Sequence, residues 1–206
     1  MASIRGVRPD DLDSLYAICL ATGDNGADAA HLHKDPKVVG HVYAAPYALL
    51  EPQSAFVAED DEGVAGYIVG ARDTLAFEAR LEAEWWPGLR ERYADPVAKP
   101  AQDWGLDEIR AWVIHHPRPP PARITGPYPS HLHINLLPRL QGQGMGKRLV
   151  DAWLARMREQ DSPGVHLGVS LKNQRAVRFY RRYGFEEFVF PSTRSEAAAL
   201  YFVTKL

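Results

Sequence analysis

Two histidines, an asparagine and a run of glycines lie close together between residues 131 and 148, where the sequence reads HLHINLLPRLQGQGMGKR. His131, His133 and Asn135 alternate with apolar residues, as expected of a strand that presents them on one face. An imidazole with a pKa of about 6.5 can take a proton from an amine, so both histidines are candidate general bases. They could instead make structural hydrogen bonds. Metal chelation by the pair lacks an evident third ligand, so no metal is predicted.

The glycines that follow are suited to binding an anion. Pro138 ends the strand because it has no N–H, and residues 141–146 then lead into a helix with an apolar stripe. The first N–H groups of a helix lack intrahelical partners, and glycines let a phosphate approach them closely. The spacing excludes a dinucleotide fingerprint, and also a P-loop, which needs Ser or Thr where Arg148 stands. A tight turn that only caps a core helix is the competing interpretation.

A second motif decides between these interpretations. Asn173 opens the pattern N-x-x-A-x-x-F-Y-x-x-x-G-F, which includes Tyr180 and follows a predicted strand. Combined with Q-x-x-G-x-G at Gln141, Gly144 and Gly146, it resembles the GCN5-related N-acetyltransferase (GNAT) superfamily. The runs HLHINLLP and GVHLGVS are also similar to the acetyltransferase-like C-terminal region of O-GlcNAcase and its bacterial relatives. Parts of that group have lost catalytic and cofactor-binding residues.

The resemblance implies an α/β (α+β) fold with a mostly antiparallel twisted sheet, flanked by helices and splayed at the cofactor site. It also implies acetyl-CoA as cosubstrate, with pantetheine on the strand backbone and pyrophosphate on the glycine loop. The residues that the resemblance assigns to acetyl-CoA are Asn135, Leu136, Leu137, Gln141, Gly142, Gln143, Gly144, Met145, Gly146, Lys147, Arg148, Asn173, Arg175 and Tyr180.

Tyr180 is the implied general acid for the departing thiolate, a role compatible with a packed aromatic ring. The helix that carries it is basic, which suits the 3′-phosphate, although a solvated face is favoured for Arg181 and Arg182. Asn135 stands where a carboxylate base might be sought, and an amide cannot serve as a base. Cys19 is remote from both motifs, so the sequence gives no support to a covalent enzyme intermediate.

Composition sets wider bounds on this protein. It has 206 residues, 46% of them hydrophobic and 24% charged, with a net charge of −2 and one cysteine. These values are typical of a soluble protein and give no case for bulk nucleic-acid or membrane binding. No apolar run reaches the length of a membrane span, and we expect a cytoplasmic protein.

The rest of the chain is expected to form a single domain over 1–206 with a Trp/Pro-rich insertion at about 94–130. The insertion would pack on the core or mediate self-association as a homodimer. Polar aromatics between residues 27 and 50 could line a cleft, but we expect most of them at the surface. Strands are predicted at 3–8, 54–59, 63–71, 131–137, 165–170, 185–190 and 199–205, and helices at 9–22, 75–93, 103–116, from 145, and 173–183.

The predicted function is acetyl-CoA-dependent acetylation of an amine by direct transfer. The acceptor, a small molecule or a protein lysine or N-terminus, is not identified by any motif. The alternative is a catalytically degenerate GNAT-fold binding module that acts through CoA or protein contacts. The intact loop, Asn173 and Tyr180 favour the enzyme, whereas Asn135 and the large insertion favour the alternative.

Overall fold

A seven-stranded sheet lies at the centre of the computed structural model, which describes residues 2–118, 120–189 and 199–206. Its strands are β1 (Ser3–Gly6), β2 (Ala55–Asp60), β3 (Gly63–Ala71), β4 (Ser130–Leu136), β5 (Gly164–Ser170), β6 (Glu186–Phe188) and β7 (Ala199–Lys205). Their order is β1-β2-β3-β4-β5-β7-β6, and every pairing is antiparallel except that of β4 with β5. The mostly antiparallel sheet predicted from the sequence is therefore confirmed.

Helices flank this sheet. Those in the described ranges are α1 (Leu12–Ala21), α2 (Val38–Tyr43), α3 (Ala45–Leu50), α4 (Thr74–Arg80), α5 (Trp86–Arg92), α6 (Leu106–His115), α7 (Ala122–Thr125), α8 (Met145–Glu159) and α9 (Gln174–Tyr183). A π-helical turn, Leu81–Trp85, joins α4 to α5, and Pro87 occupies the first turn of α5, where its missing N–H needs no intrahelical acceptor. Across the described chain, no helix has the length and apolar character needed to cross a membrane.

The sheet separates two hydrophobic clusters. Side chains of β3 alternate between them: Tyr67 and Val69 pack with α1, α2 and α4, whereas Ile68 packs with α8 and α9. Trp153 of α8 is fully buried in the second cluster, and its indole Nε1 donates to the carbonyl of Ser54 at 2.9 Å. This contact fixes α8, and therefore the loop before it, against the start of β2.

Strands β4 and β5 separate along their length. Their parallel pairing covers Ser130 with Val165 and His131 with His166, and the described ladder between them ends there. Beyond that point β4 stays paired to β3, and β5 stays paired to β7. The result is the predicted wedge-shaped gap between two central strands, open toward the end of β4.

Two of the strands are shorter than predicted. The first strand ends at Gly6 instead of residue 8, because Pro9–Asp11 forms a 3-10 turn whose Asp11 carboxylate accepts from the backbone of Arg8. The strand predicted over 185–190 is confined to Glu186–Phe188, and its last predicted residue lies outside the described ranges.

The predicted insertion at 94–130 folds into 3-10 turns, α6 and α7, and α6 packs against α2 and α5. It is anchored by the His33 Nδ1, which lies 2.6 Å from Asp107 of α6. The insertion therefore lies on the α1–α2 side of the sheet. The single-domain interpretation stays a prediction.

Candidate active site

The backbone of β4 is divided between a neighbouring strand and the gap. The Leu137 N–H donates to Ala65 on β3 at 2.8 Å, and the Leu137 carbonyl accepts from Leu140 at 3.0 Å. Because alternate residues of a strand point their backbone groups to opposite sides, Ile134 and Leu136 turn theirs toward the gap. The prediction that Leu137 contacts the cofactor is wrong, since both of its backbone groups are already bonded; Leu136 keeps that role.

The glycine loop has the geometry that its sequence predicts. Gly142 and Gly144 have φ values of +74° and +77°, in the left-handed region that glycine alone adopts without strain. Gly144 is the N-cap of α8, and the first backbone bond of this helix runs from the Arg148 N–H to the Gly144 carbonyl at 3.1 Å. The N–H groups of residues 145–147 therefore have no intrahelical acceptor and remain available to an anion.

Gln141 ties this loop to both sides of the gap. Its amide Nε2 donates to the Leu136 carbonyl at 2.6 Å, and its Oε1 accepts from Arg175 of α9. One side chain thus links the end of β4 to the start of the basic helix. This explains why a long amide at the first position of the motif suits the site.

A cavity of about 490 Å³ occupies the region between these elements. It is lined by Ile134, Asn135, Leu136, Gln141, Gly142, Gly144, Gly146, Lys147, Asn173, Arg175, Ala176, Arg178, Phe179, Tyr180 and Arg182. Ten of these residues were assigned to acetyl-CoA by the resemblance. The apolar residues Ile134 and Phe179 were missed, because nothing in their type distinguishes them from core residues.

Three further assigned residues point elsewhere with their side chains. Met145 is buried in the core beneath α8, so only its backbone N–H can serve the loop. Gln143 donates to the Arg139 carbonyl at 2.8 Å, and Arg148 donates to the Ala2 carbonyl at 3.3 Å. Of the two cations predicted to help the loop, Lys147 or Arg148, the structure places Lys147 at the cavity.

Cationic side chains surround the mouth of the cavity. Arg175, Arg178 and Arg182 line it, whereas Arg181 forms an ion pair with Glu187 at 2.6 Å. Arg181 and Arg182 are both exposed, as expected of a solvated face, and Arg182 also borders the cavity. Lys147 is held by Asp151 at 2.8 Å, one helical turn on. This concentration of positive charge suits a phosphorylated ligand.

Asn173 and Tyr180 occupy the two ends of the cavity wall formed by α9. The Asn173 Oδ1 accepts from the Ala176 N–H at 3.0 Å and so caps the helix, while the residue itself lines the cavity. Tyr180 is almost fully buried against Phe185 and Phe202. Burial raises the pKa of Tyr180 above its usual value, so its hydroxyl stays protonated near neutral pH and can donate.

His131 is enclosed in a hydrogen-bonded network. Its Nε2 lies 2.8 Å from the Tyr47 hydroxyl, and its Nδ1 lies 2.8 Å from Thr74 Oγ1. Burial, with smaller contributions from two neighbouring histidines, holds the pKa of His131 well below its ordinary value. Both ring nitrogens are occupied, so the structure contradicts the prediction of His131 as general base and gives it a structural role.

His133 differs from His131 because one of its ring nitrogens, Nδ1, makes no hydrogen bond to the described residues, although its lowered pKa makes it a weak base. Its Nε2 lies 3.2 Å from the Tyr47 hydroxyl, and its ring contacts Tyr43 with centroids 5.4 Å apart. Burial, and then His166, lowers the pKa of His133 to about 4, which keeps the imidazole neutral near pH 7. His133 does not line the cavity, but it shares a strand face with Asn135, which does.

Asn135 donates through its side-chain amide to Thr22, whose hydroxyl donates to the Ile18 carbonyl at 2.7 Å. This ties β4 to the end of α1 at the edge of the cavity. Among the described residues, no group of three or more His, Cys, Asp and Glu side chains could hold a metal ion.

The expectation of a surface position for the polar aromatics of residues 27–50 is wrong for several of them. His41 and Tyr47 are buried, and Tyr43 is half-buried and accepts from Arg110 of α6 at 2.7 Å. Sequence reasoning missed Tyr47, Thr74 and Arg110 as members of the site. Tyr43 ends α2 and Tyr47 lies in α3, so no single helical period in the sequence brings the two together.

Comparison with known proteins agrees with this geometry. The model of the acetyltransferase (GNAT) family matches residues 24–185. Protein O-GlcNAcase from Rattus norvegicus is 24% identical over 185 residues, covering 88% of this chain and 20% of that relative. The chain thus spans about a fifth of that protein's length, given the 20% coverage.

Solved structures show the same fold. The crystal structure of SsHAT is 35% identical, with a TM-score of 0.87 and coverage of 99% of this chain and 98% of that one. Phosphinothricin acetyltransferase from Sinorhizobium meliloti, solved in complex with AcCoA, is 15% identical, with a TM-score of 0.57 and coverage of 100% and 88%. The second likeness concerns the fold alone. Acetyl-CoA is the cosubstrate of this family.

Proposed function

Since the chain belongs to the acetyltransferase (GNAT) family, we propose that it transfers the acetyl group of acetyl-CoA directly to an amine. The observation that carries this proposal is the cavity itself. It joins a splayed strand pair, a loop with left-handed glycines and a basic helix in one space.

The residues present fit acetyl-CoA. The N–H groups of residues 145–147 and the cations Lys147, Arg175, Arg178 and Arg182 would hold its phosphates. The backbone groups of Ile134, which face the gap, would pair with the pantetheine amides, and Asn173 lines the same cavity. Bound acetyl-CoA would supply an acetyl thioester.

Three groups of the protein would stabilise the oxyanion, protonate the leaving thiolate and accept the proton of the amine. The Leu136 N–H, turned into the gap, would stabilise the developing oxyanion. Tyr180, kept protonated by burial, would donate its hydroxyl proton to the leaving thiolate. His133, kept neutral, would accept the proton that the amine releases. Cys19 is not a candidate nucleophile, because it is buried in the other core cluster and burial raises its pKa to about 11. The proposed transfer is therefore direct, without a covalent enzyme intermediate.

The second candidate is a degenerate module that binds CoA or a protein without turnover. The position of Asn135 favours it, because an amide bonded to Thr22 stands where a carboxylate base might be sought. The similarity to O-GlcNAcase, which covers 20% of that relative, is compatible with either candidate. A cytoplasmic location and a homodimer also remain proposals.

Release of free thiol from acetyl-CoA, measured across a panel of primary amines, peptides and protein N-termini, tests the enzyme proposal. We expect turnover with at least one amine, and its loss in Gly144→Glu, where a carboxylate and a strained backbone replace the anion site. Gly63→Glu is the matched control, since Gly63 has a φ of +102° in the β2–β3 hairpin, outside the cavity lining. Acetyl-CoA binding without turnover on any amine class would favour the binding module.

A further inference from the structure

The hydrogen-bonded network around His131 has a direction that the positions of its heavy atoms determine. Thr74 Oγ1 lies 2.7 Å from the Pro129 carbonyl, which can only accept, so the threonine hydroxyl donates there. Its oxygen must then accept from the His131 Nδ1–H, 2.8 Å away. The tautomer of neutral His131 is thereby fixed, with the lone pair on Nε2.

The network continues from His131 through the Tyr47 hydroxyl to His133. His131 Nε2 is an acceptor, so the Tyr47 hydroxyl, 2.8 Å away, must donate its one proton to it. The Tyr47 oxygen can then only accept from the His133 Nε2, which lies at 3.2 Å. His133 therefore carries its proton on Nε2, and its lone pair is on Nδ1.

We propose that Tyr47 is a positioning residue that holds His133 in the Nε2–H tautomer, so that the Nδ1 lone pair is the one offered to the acceptor amine. This inference rests on the proposed function, in which His133 is the base. It adds a residue from α3 and another from the start of α4 to the machinery of acetyl transfer, although neither lines the cavity.

Tyr47 is held rigidly enough for this task. Its side chain is buried, and its ring stacks on Phe77 with centroids 4.4 Å apart and planes inclined by 21°. Its two histidine partners lie on β4, at and just beyond the last pairing with β5. The network therefore lies where the strands begin to separate, and His133 is on the same strand as Asn135, which lines the cavity.

Tyr47→Phe tests this role, because it removes the hydroxyl and keeps the ring stacked on Phe77. Imidazole 15N NMR on labelled protein, with the His133 signals assigned by their loss in His133→Gln, reads the tautomer directly. We expect Nε2–H in the parent protein and a shift toward Nδ1–H or a mixture in Tyr47→Phe. We also expect kcat to fall about tenfold or more, with unchanged acetyl-CoA affinity.

Tyr16→Phe is the matched control. Its hydroxyl lies 2.8 Å from the Nδ1 of His41, a second buried tyrosine–histidine pair away from β4. We expect this variant to keep both the His133 tautomer and kcat. An equal loss of kcat in both variants would mean that Tyr47 acts only through stability and would overturn the inference.

Two other results would overturn it as well: an Nδ1–H tautomer of His133 in the parent protein, or an unchanged tautomer in Tyr47→Phe. The failure of the proposed function gives a different result. In that case no amine is acetylated by the parent protein, while the NMR spectra still decide whether Tyr47 sets the His133 tautomer.

Discussion

The two sides of the central gap are built in different ways. On the cofactor side, the contacts span shorter stretches of sequence: Gln141 bonds to Leu136, five positions away, and to Arg175, 34 positions away. On the α1–α2 side, Tyr47 bonds to His131 across 84 positions, and Asn135 bonds to Thr22 across 113. The cofactor side is formed mainly by one loop and the ends of the elements around it. The other side is formed by tertiary packing between segments far apart in the chain.

Because the two sides are built differently, substitutions on each side should change a different property of the protein. A phosphate is bound by N–H groups and charge, so the cofactor side needs particular backbone conformations and few particular contacts. The other side must fit an acceptor, and its contacts come from α1, α2, α3 and the insertion. We therefore expect variants on the cofactor side to change acetyl-CoA binding or chemistry, and variants on the other side to change use of the acceptor.

Among substitutions that leave the glycine loop intact, Tyr180→Phe should give the largest effect on turnover. Loss of the donated proton should lower kcat by about 10- to 100-fold, at the low end of acid–base effects because a thiolate is a fair leaving group. Acetyl-CoA affinity, measured by calorimetry, should be unchanged. Tyr183 lies on the same helix as Tyr180, and Tyr183→Phe, which removes a 2.6 Å bond to Asp151 of α8, should keep kcat. Equal losses in both variants would assign Tyr180 a packing role.

Arg175→Ala should weaken acetyl-CoA binding by about tenfold or more, the usual cost of one charge-assisted contact. The loss should shrink as salt concentration rises, because the contact is exposed. Arg181→Ala is the control, since Arg181 pairs with Glu187 outside the cavity lining. If Arg181→Ala weakens binding as much as Arg175→Ala does, only the net charge of α9 matters, and the lining geometry assigned here is wrong.

Acid should destabilise the α1–α2 side first. Burial holds the pKa values of His41 and His133 at about 4 and that of His131 well below normal, so the unfolded chain takes up their protons first as pH falls. The free energy of unfolding should drop between pH of about 6.5 and 4, by up to ~1.4 kcal/mol per pH unit for each histidine.

Denaturant titrations over this pH range, with His41→Gln for comparison, measure the slope. The variant should show a shallower pH dependence, because one proton-binding group is gone. A stability that stays flat from pH 7 to about 4 would contradict the neutral buried state of these histidines.

Arg110→Leu should have the smallest effect. Its guanidinium bonds to the Tyr43 hydroxyl and lies 5.2 Å from the centre of that ring, which in turn packs on His133. We expect a rise of about fivefold in KM for the acceptor and no change in acetyl-CoA affinity. Arg118→Leu removes a similar contact, at 5.0 Å over Trp112 in the same insertion, and should change neither quantity.

The cofactor side was predictable from sequence because each motif residue has a local reason. Position 144, immediately before α8, has a φ of +77° and therefore favours glycine. Asn173 caps α9 by accepting from the N–H of the residue three positions on. The sequence did not predict the direction in which a side chain points, because that direction depends on packing. Lys147 and Arg148 are adjacent, yet only the first faces the cavity, since neighbouring helical residues point in different directions.

The other side was largely unpredictable. Tyr47 and Thr74 belong to the site only because α3 and α4 pack beside β4, and no sequence period encodes that contact. Leu137 shows the same limit within a correctly predicted strand. The alternation of its side chain was correct, but the choice of which backbone groups face the gap depends on the pairing with β3.

The most direct test of the account is isothermal titration of the protein with acetyl-CoA, performed alongside Gly144→Glu and Gly63→Glu. The account predicts one site per chain with micromolar affinity, lost in Gly144→Glu and kept in Gly63→Glu. No measurable heat with the parent protein, or equal binding in Gly144→Glu, would contradict the claim that the glycine loop and the gap between β4 and β5 hold acetyl-CoA.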